Sequence, residues 1–423
     1  MWITDACKAV VLSFVAVFHY PSVSDEGPHQ DVMTFTHGHS TPEIDYPYFD
    51  SPSGPDQDGK VFTCNYTDLK GWKPCTTADD RSCWLKGPYG QNFTINTDYE
   101  NFWPIGITRE YHLNVTDQSI NGDGVDNPFG KVFNGKYPGP WIQACWGDLI
   151  KVTVHNHLKY NGTTIHWHGL RQLETFEMDG VNGVTQCPIA PGDSYTYTFR
   201  AVQYGTSWYH SHYSLQYADG LAGPITIYGP SSAPFDEGRN PILITDWSHR
   251  SAFQSWQREL VPNPTRPMMN GVLINGMTVT KVGYLTAAAD KTVLTINLHL
   301  HGHDFALLAQ GTNFSDLDTG KVNLKFNNPP RRDVALLPAG GYLVVAFKAD
   351  NPGSWLFHCH IAWHASSGLA IQILEQQTLL NRILDQYPEK MKEVNRVCDN
   401  WNKWFKNDTN LWNAHIFQDD SGI

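Results

Sequence analysis

GSWLFHCHIAWHASSGLAIQIL (residues 353–374) holds a cysteine between two histidines at the end of an apolar, strand-like run. In a β-strand, residues i and i+2 point to one side and residue i+1 points to the other. His358 and His360 are therefore expected on one side of the strand and Cys359 on the opposite side. Metal ions bound on the two sides would be joined by a short covalent route through this strand.

The residues after the cysteine extend its donor set. His364 follows five residues after Cys359, and Leu369 follows ten residues after it. A thiolate, histidines and a weak or absent axial contact make a blue-copper electron-transfer site. Such a site is useful only if a second site consumes the electrons that it collects. The pattern therefore predicts two linked metal sites.

Three other segments repeat the His-x-His alternation: HWHG (166–169), HSH (210–212) and HLHGH (299–303). Each presents two imidazoles to one space, about 7 Å apart along the strand. Together with residues 358 and 360 they offer eight nitrogen ligands, which suit copper, zinc or iron. Ordinary surface or core histidines would explain one such pair but not four. A zinc hydrolase is disfavoured, because no HExxH motif is present and an open zinc site needs three protein ligands.

Short alternating stretches surround the histidine clusters and predict an all-β fold of Greek-key sandwiches. From about 92 to 230 they include YHLNVT, LIKVTVHNHL, YTYTFRAV and GPITIYG, with turn residues at the intervals typical of an antiparallel sandwich. A second set lies at about 290–375. Residues 20 to about 90 are rich in Pro, Gly, Asp and Ser and predict a loop-dominated extension. After Gln376 the pattern predicts a helical segment.

Composition and charge limit the classes of partner. The 423 residues are 41% apolar and 17% charged, which is typical of a globular protein. The formal net charge of −12 argues against nucleic acid or an anionic membrane surface as a partner.

The N-terminus predicts a secretory signal over residues 1–20. Lys8 precedes a ten-residue apolar run, 9–18, that is too short to span a bilayer. Asp5 and the lack of a clean small-residue cleavage site count against it. Six N-x-S/T triplets favour secretion and a glycoprotein, with a chance excess as the alternative. They begin at Asn65, Asn92, Asn114, Asn161, Asn313 and Asn407.

Eight cysteines would mostly pair in an oxidising compartment. Cys75 and Cys83 are close enough to close a small loop, and Cys187 and Cys398 could tie an early domain to the C-terminal region. Cys359 is kept as a metal ligand. Two more cysteines, Cys64 and Cys145, have no assigned place, and Cys7 would leave with the signal.

These segments resemble the signature motifs of laccases, within the multicopper oxidases. The resemblance is carried by residues 166–189, 205–224, 299–305 and 353–374, and the HCHIAWH motif, with Ala362, is similar to the ascomycete fungal branch. The two cysteine pairings and the final DSGI (420–423), which looks like a C-terminal plug, also match that branch. The resemblance implies cupredoxin-like sandwiches, and a monomer that uses O2 to oxidise phenols or aromatic amines one electron at a time, yielding two waters.

The resemblance also implies a role for each matching residue. The type 2 copper would be bound by His166 and His299. The binuclear type 3 pair would be bound by His168, His210, His212, His301, His358 and His360. The type 1 copper would be bound by Cys359 and His364, with Leu369 in the non-coordinating axial place. Asp179 matches an acid that helps to deliver protons, with a turn-forming Asp-Gly as the alternative. His303 lies in the motif but is not a ligand.

The chain departs from this family in its middle. Laccases have three cupredoxin domains, yet the segment before HLHGH ends after about 50 residues, and one such sandwich needs about 100. The chain is therefore expected to consist of six parts. They are a signal (1–20), a loop-rich extension (21–91), a first cupredoxin domain (92–232), a second-domain remnant (233–290), a third domain without its early strands (291–376), and a helix with a plug-like tail (377–423).

The departure reaches the chemistry at one position. The family's third motif has a type 1 histidine three residues before His299, where this chain has Ile296. An isoleucine cannot bind copper, so a weak or empty type 1 site is expected. The leading interpretation is a secreted laccase-type oxidase, impaired in this shortened chain. The alternatives are a non-catalytic copper-binding remnant or mispredicted gene product, and a ferroxidase or ascorbate oxidase of the same family.

Overall fold

The computed structural model describes residues 32–35, 62–236, 238, 240–259, 269–278 and 296–407. The predicted signal peptide, Cys7 and the plug-like tail lie outside these residues. The described residues of the extension expected to be loop-dominated (21–91) contain four short strands, β1 (Val32–Phe35), β2 (Phe62–Asn65), β3 (Lys73–Pro74) and β4 (Cys83–Lys86), and β5 (Asn92–Thr94) follows directly after them. Strands β3, β4 and β5 form one small sheet. Its core is largely aromatic, with Trp84 and Trp146 fully buried, so large rings replace the periodic pattern that was absent from the sequence.

The first sandwich consists of two four-stranded sheets, ordered β10-β12-β13-β8 and β11-β9-β6-β7. Its strands are β6 (Thr108–Asp117), β7 (Lys131–Phe133), β8 (Ile142–Cys145), β9 (Leu149–Asn156), β10 (Ile165–Trp167), β11 (Ser194–Arg200), β12 (Gly205–Ser211) and β13 (Ala222–Tyr228). Strict alternation of side chains in β9 buries Val152 and Val154 against residues of the other sheet. Short 3-10 helices occupy Phe176–Met178 and Gln216–Asp219.

Two strand pairs of the first sandwich depart from the antiparallel pairing that its turn spacing is typical of. Strands β6 and β9 are parallel, and so are β8 and β13. Successive strands such as β8 and β9 lie in different sheets, so the chain crosses the sandwich before it returns to a sheet. A strand that returns after a crossing can run in the same direction as its neighbour, which a two-residue hairpin forbids.

The middle segment forms a three-stranded sheet from β14 (Ile244–Trp247), β15 (Gly271–Ile274) and β16 (Met277–Thr278), with helix α1 at Ala252–Glu259. Trp247 and Leu273 are buried against Ile120 and Val132 of the first sandwich. Ile244 and Met277, in contrast, are largely exposed. This sheet therefore has an apolar face that the described residues leave uncovered.

The C-terminal sandwich pairs a four-stranded sheet, β20-β17-β22-β23, with a three-stranded sheet, β19-β18-β21. Its strands are β17 (Ile296–Leu300), β18 (Phe305–Gly311), β19 (Arg331–Arg332), β20 (Val334–Leu337), β21 (Tyr342–Ala346), β22 (Gly353–Cys359) and β23 (Ala370–Glu375). Its helices are α2 (Ser315–Asp318) and α3 (Ala362–Ser366). Leu300, Phe305 and Val345 form its core together with Cys359. The all-β architecture expected from the sequence is confirmed.

The predicted helical segment follows as α4 (Gln377–Gln386) and α5 (Pro388–Phe405). Helix α5 buries Val394 and Val397 in the core of the first sandwich. No helix within the described ranges is long and apolar enough to cross a membrane.

Three disulfides connect these parts. The predicted pairs Cys75–Cys83 and Cys187–Cys398 are confirmed. The two cysteines without an assigned place form the third pair, Cys64–Cys145, which joins β2 to β8. The extension and α5 are therefore both tied to the first sandwich by covalent bonds.

Candidate metal centre

Two adjacent strands in each sandwich present the His-x-His segments. In the first sandwich His166 of β10 is the register partner of His210 of β12. In the C-terminal sandwich His299 of β17 is the register partner of His358 of β22. Because each segment lies at a strand end, its second histidine follows in the next loop on the same side. Each sandwich thus contributes four imidazoles to one edge.

The two edges face each other and bring all eight predicted imidazoles into one cluster. The Nε2 atoms of His166 and His299 lie 3.4 Å apart, and those of His301 and His358 lie 3.0 Å apart. The rings of His168 and His299 stack across the junction with centroids 4.0 Å apart. Three all-histidine groups among the described residues have ligand atoms within 4.8 Å of one another: His166, His299 and His301; His166, His168 and His210; and His212, His301 and His358.

Protein oxygens fix the tautomer of at least five of these imidazoles. The Nδ1 atoms of four lie 2.8–2.9 Å from main-chain carbonyl oxygens: His166 at Asp179, His210 at Ser211, His299 at Asp333 and His358 at Cys359. The Nδ1 atom of His301 lies 2.8 Å from the Asp179 carboxylate. These oxygens can only accept, so Nδ1 carries the proton and Nε2 keeps the lone pair that binds a metal. The arrangement directs Nε2 ligands towards the cluster.

The remaining nitrogens have the features expected of a metal site. His168 Nδ1, His210 Nε2, both ring nitrogens of His212 and His360 Nε2 are buried without a hydrogen-bond partner. A buried polar atom without a partner is costly, and a metal ion would satisfy these atoms. Eight imidazoles where the two edges meet therefore fit a cluster of copper ions.

The electrostatics of the cluster favour the neutral, metal-binding form of the rings. The pKa of most of the eight imidazoles is lowered. Burial has the largest effect, and the neighbouring imidazoles add to it. The pKa of His360 falls to about 4. The pKa values of His168, His210, His212, His299, His301 and His358 lie well below the ordinary range. At neutral pH these imidazoles can bind metal without first losing a proton.

The predicted cysteine site lies on the other side of β22. Cys359 is fully buried, and its Sγ atom lies 3.4 Å from Nδ1 of His364. The main-chain N–H of Ile361 donates to the same sulfur at 3.5 Å, which favours a thiolate. Leu369 packs in the same core, and its carbonyl accepts the N–H of Cys359. Ile296 is the first residue of β17 and pairs with Leu337.

Asp179 is completely buried beneath the cluster. One carboxylate oxygen contacts His301, and the other lies 3.3 Å from Nδ1 of His166. Its own carbonyl oxygen accepts from the same His166 nitrogen. The residue therefore orients one ring from each sandwich, which a simple turn-forming role would not explain.

Asp333 was missed by the sequence analysis, because Arg-Arg-Asp resembles no motif that was considered. Its carboxylate lies 2.9 Å from Nε2 of His168, and its carbonyl accepts from His299. It also lines a cleft between the sandwiches, together with Tyr204 and Arg331. A carboxylate thus connects the buried cluster with the cleft.

His303 is buried and faces Glu375, with Nε2 and a carboxylate oxygen 3.2 Å apart. Its Nδ1 lies 3.0 Å from the carbonyl oxygen of His301. It belongs to none of the metal-ligand groups found among the described residues.

Comparison with known proteins agrees with this geometry. Two family models, both described as multicopper oxidase, match residues 114–232 and 246–378. A laccase of Arthroderma benhamiae is 31% identical, covering 91% of this chain and 96% of that protein. Laccase-2 of Botryotinia fuckeliana is also 31% identical, covering 82% and 93%.

A solved structure is similar over most of its length. The crystal structure of laccase from Botrytis aclada aligns with a TM-score of 0.70 at 29% identity, covering 83% of this chain and all of that chain. This similarity confirms the cupredoxin-like fold inferred from the motifs. By its matching motifs, its fold and its similarity to fungal laccases, this chain belongs to the multicopper oxidase family.

Proposed function

We propose that this chain is a laccase-type oxidase that couples one-electron oxidation of small phenols or aromatic amines to the four-electron reduction of O2. Four substrate molecules would each give one electron, and O2 would take four electrons and four protons to form two waters. Copper ions at the predicted donors would supply the one-electron chemistry. The observation that carries the proposal is the buried cluster of eight imidazoles with Cys359 bonded between two of its members.

The proposed ligand sets follow the family pattern. The type 2 ion is assigned to His166 and His299, the type 3 pair to His168, His210, His212, His301, His358 and His360, and the type 1 ion to Cys359 and His364. The closeness of the His166 and His299 Nε2 atoms supports the first set. The contact between the His301 and His358 Nε2 atoms supports the second.

The protein itself supplies orientation, a conduction route and protons. Cys359 is joined to His358 and His360 by single peptide links, so the route from the thiolate to the cluster is short. The Asp179 carboxylate and four main-chain carbonyls hold five of the imidazoles in one tautomer. Asp333, which contacts both His168 and the cleft, is placed to pass protons inward. Asp179 shares this role at the buried end.

We further propose that electron entry is impaired, because Ile296 occupies the position of a type 1 ligand. The alignment with the Arthroderma laccase runs over 622 residues, and this chain has 423. Because 91% of this chain, about 385 residues, is aligned, about 237 positions of that alignment (622 − 385) have no residue here. That number exceeds one sandwich of about 100 residues. It supports the proposed loss of most of the middle domain and of the early strands of the third.

We also propose that the protein is a secreted, monomeric glycoprotein. Three disulfides support an oxidising compartment. Asn92, Asn114, Asn313 and Asn407, each the start of a sequon, are exposed.

The test compares the full chain with Ile296→His, loaded with copper. The unmodified chain should bind copper but show weak blue thiolate absorption and slow O2 uptake with a methoxyphenol. Ile296→His should increase both, whereas Asn297→His, the adjacent position in β17, should not. Cys359→Ser should abolish the blue absorption in every background.

The outcomes separate the alternatives. Copper binding with no O2 uptake in either form would indicate a non-catalytic remnant. Faster O2 uptake with Fe(II) or ascorbate than with the phenol would indicate a ferroxidase or ascorbate oxidase. Failure to bind copper would overturn the proposal, and full blue absorption in the unmodified chain would overturn the impairment.

A further inference from the structure

Three histidines lie on the outer face of the first sandwich, apart from the copper cluster. His112 belongs to β6, His155 to β9, and His157 follows the end of β9. Their chain neighbours Leu113 and Val154 are buried in the core, so the imidazoles project from the opposite face. None of the three has a role in the proposed oxidase.

Two of these imidazoles are close enough to share a ligand. Nδ1 of His112 lies 3.4 Å from Nε2 of His155 across the parallel strand pair. The two rings are nearly parallel, with an interplanar angle of 13°. An ion about 2.05 Å from both nitrogens, the usual zinc–imidazole distance, would subtend an angle of about 110° between them. That angle is close to the tetrahedral value.

The surroundings of the pair leave its nitrogens available to a cation. The register partners of His155 are Asn114 and Ser194, and the partner of His112 is Thr153. All three are uncharged, so no basic side chain directly beside the pair competes with a metal. Partial burial, followed by His112 and His157, lowers the pKa of His155, which keeps its imidazole neutral.

We propose that His112 and His155 form a surface chelate for one divalent transition-metal ion that prefers imidazole, with zinc as the best geometric match. The ion would connect β6 and β9, which are separated in sequence and held together by main-chain hydrogen bonds. Water would complete its coordination. His157 stays outside this chelate, because it belongs to no group of three ligand atoms within 4.8 Å of one another among the described residues.

The experiment uses untagged, copper-loaded full-length protein, so that the copper cluster does not compete for zinc. An endoglycosidase treatment first removes any sugar from Asn114. Isothermal titration with zinc chloride should detect one ion that is lost in His112→Gln and in His155→Gln. Loss of a residue that only hydrogen-bonds to a metal ligand already weakens metal binding by about 10- to 100-fold. Loss of one of the two ligands should therefore weaken zinc binding at least about tenfold. His157→Gln is the matched control and should bind zinc like the parent.

A second readout separates binding from folding defects. Zinc should raise the melting temperature of the parent and of His157→Gln but not of His112→Gln, while copper content and circular dichroism stay equal in all forms. Absence of zinc binding in the parent would overturn the proposal and leave only a hydrogen bond between the rings. Unchanged binding in both chelate variants, or equal loss in His157→Gln, would also overturn it.

Discussion

Replacement of Asp179 by asparagine tests whether its charge, and not only its shape, organises the cluster. The carboxylate accepts from Nδ1 of His301 at 2.8 Å and is fully buried. An asparagine side-chain oxygen can accept in the same place, so the tautomer of His301 should survive. What is lost is the negative charge.

The magnitude follows from the strength of the hydrogen bond. A hydrogen bond to a charged group contributes about 1.5–3 kcal/mol to stability, and a hydrogen bond between neutral groups contributes about 0.5–1.5 kcal/mol. The difference of about 1.5 kcal/mol corresponds to about tenfold in an equilibrium constant. Asp179→Asn should therefore weaken copper binding by about tenfold. Asp179→Ala should weaken it further, since it leaves the His301 N–H buried without an acceptor, at a cost of about 1–3 kcal/mol.

The assay is copper affinity by competition with a chelator, together with O2 uptake at saturating copper. The matched control is Asp333→Asn, which alters the more exposed carboxylate at His168. The expected order of copper affinity is parent above Asp179→Asn above Asp179→Ala. Equal affinities for the parent and both Asp179 variants would refute the positioning role. Equal affinities for Asn and Ala alone would refute the hydrogen-bond argument.

Three further predictions concern stability and modification. Cys187→Ser with Cys398→Ser should lower the free energy of unfolding in urea by about 2–5 kcal/mol. Cys75→Ser with Cys83→Ser should lower the free energy of unfolding by less. This disulfide joins residues only 8 apart, whereas Cys187 and Cys398 are 211 apart. Burial raises the pKa of Asp219 to about 6, so its stabilising contribution is complete below about pH 4 and is lost as pH rises through 6. Asp219→Asn should therefore stabilise the protein at pH 7.5 by up to about 3 kcal/mol. In this variant the midpoint of urea unfolding should change less with pH between pH 4 and 6.5. A steeper pH dependence in that variant would contradict the argument. Asn161 is 8% exposed, so glycopeptide mapping should find sugar at Asn92 and Asn313 but not at Asn161.

The sequence could predict the imidazole cluster because each His-x-His segment indicates, within a single strand, the side on which its two rings lie. Alternation within a strand places His166 and His168 on one side without any knowledge of the partner strand. What the motif cannot encode is the tautomer, because the acceptors are main-chain oxygens such as those of Ser211 and Asp333. Main-chain oxygens look the same for every residue type, so only the folded backbone identifies them.

The pairing of Cys64 with Cys145 shows a different limit. The two are 81 residues apart, and the first lies in an extension without hydrophobic periodicity. The extension packs on the first sandwich through aromatic rings, with Phe62 stacked on Tyr228. Individual large rings bury much area without repeating at a fixed period, so a periodicity argument does not detect them.

The architecture also explains why shortening would affect the two sites unequally. All eight imidazoles come from the first and C-terminal sandwiches, and each pair of His-x-His strands is held in register by its own sheet. The three-stranded middle sheet contributes none of them. The proposed cysteine site, however, lacks one ligand at Ile296, the residue that opens β17. A deletion that ends at this residue would leave the imidazole cluster assembled while removing one ligand of the proposed electron-entry site. Cluster assembly and electron entry should therefore be separable in this chain, and Ile296→His is the substitution that reconnects them.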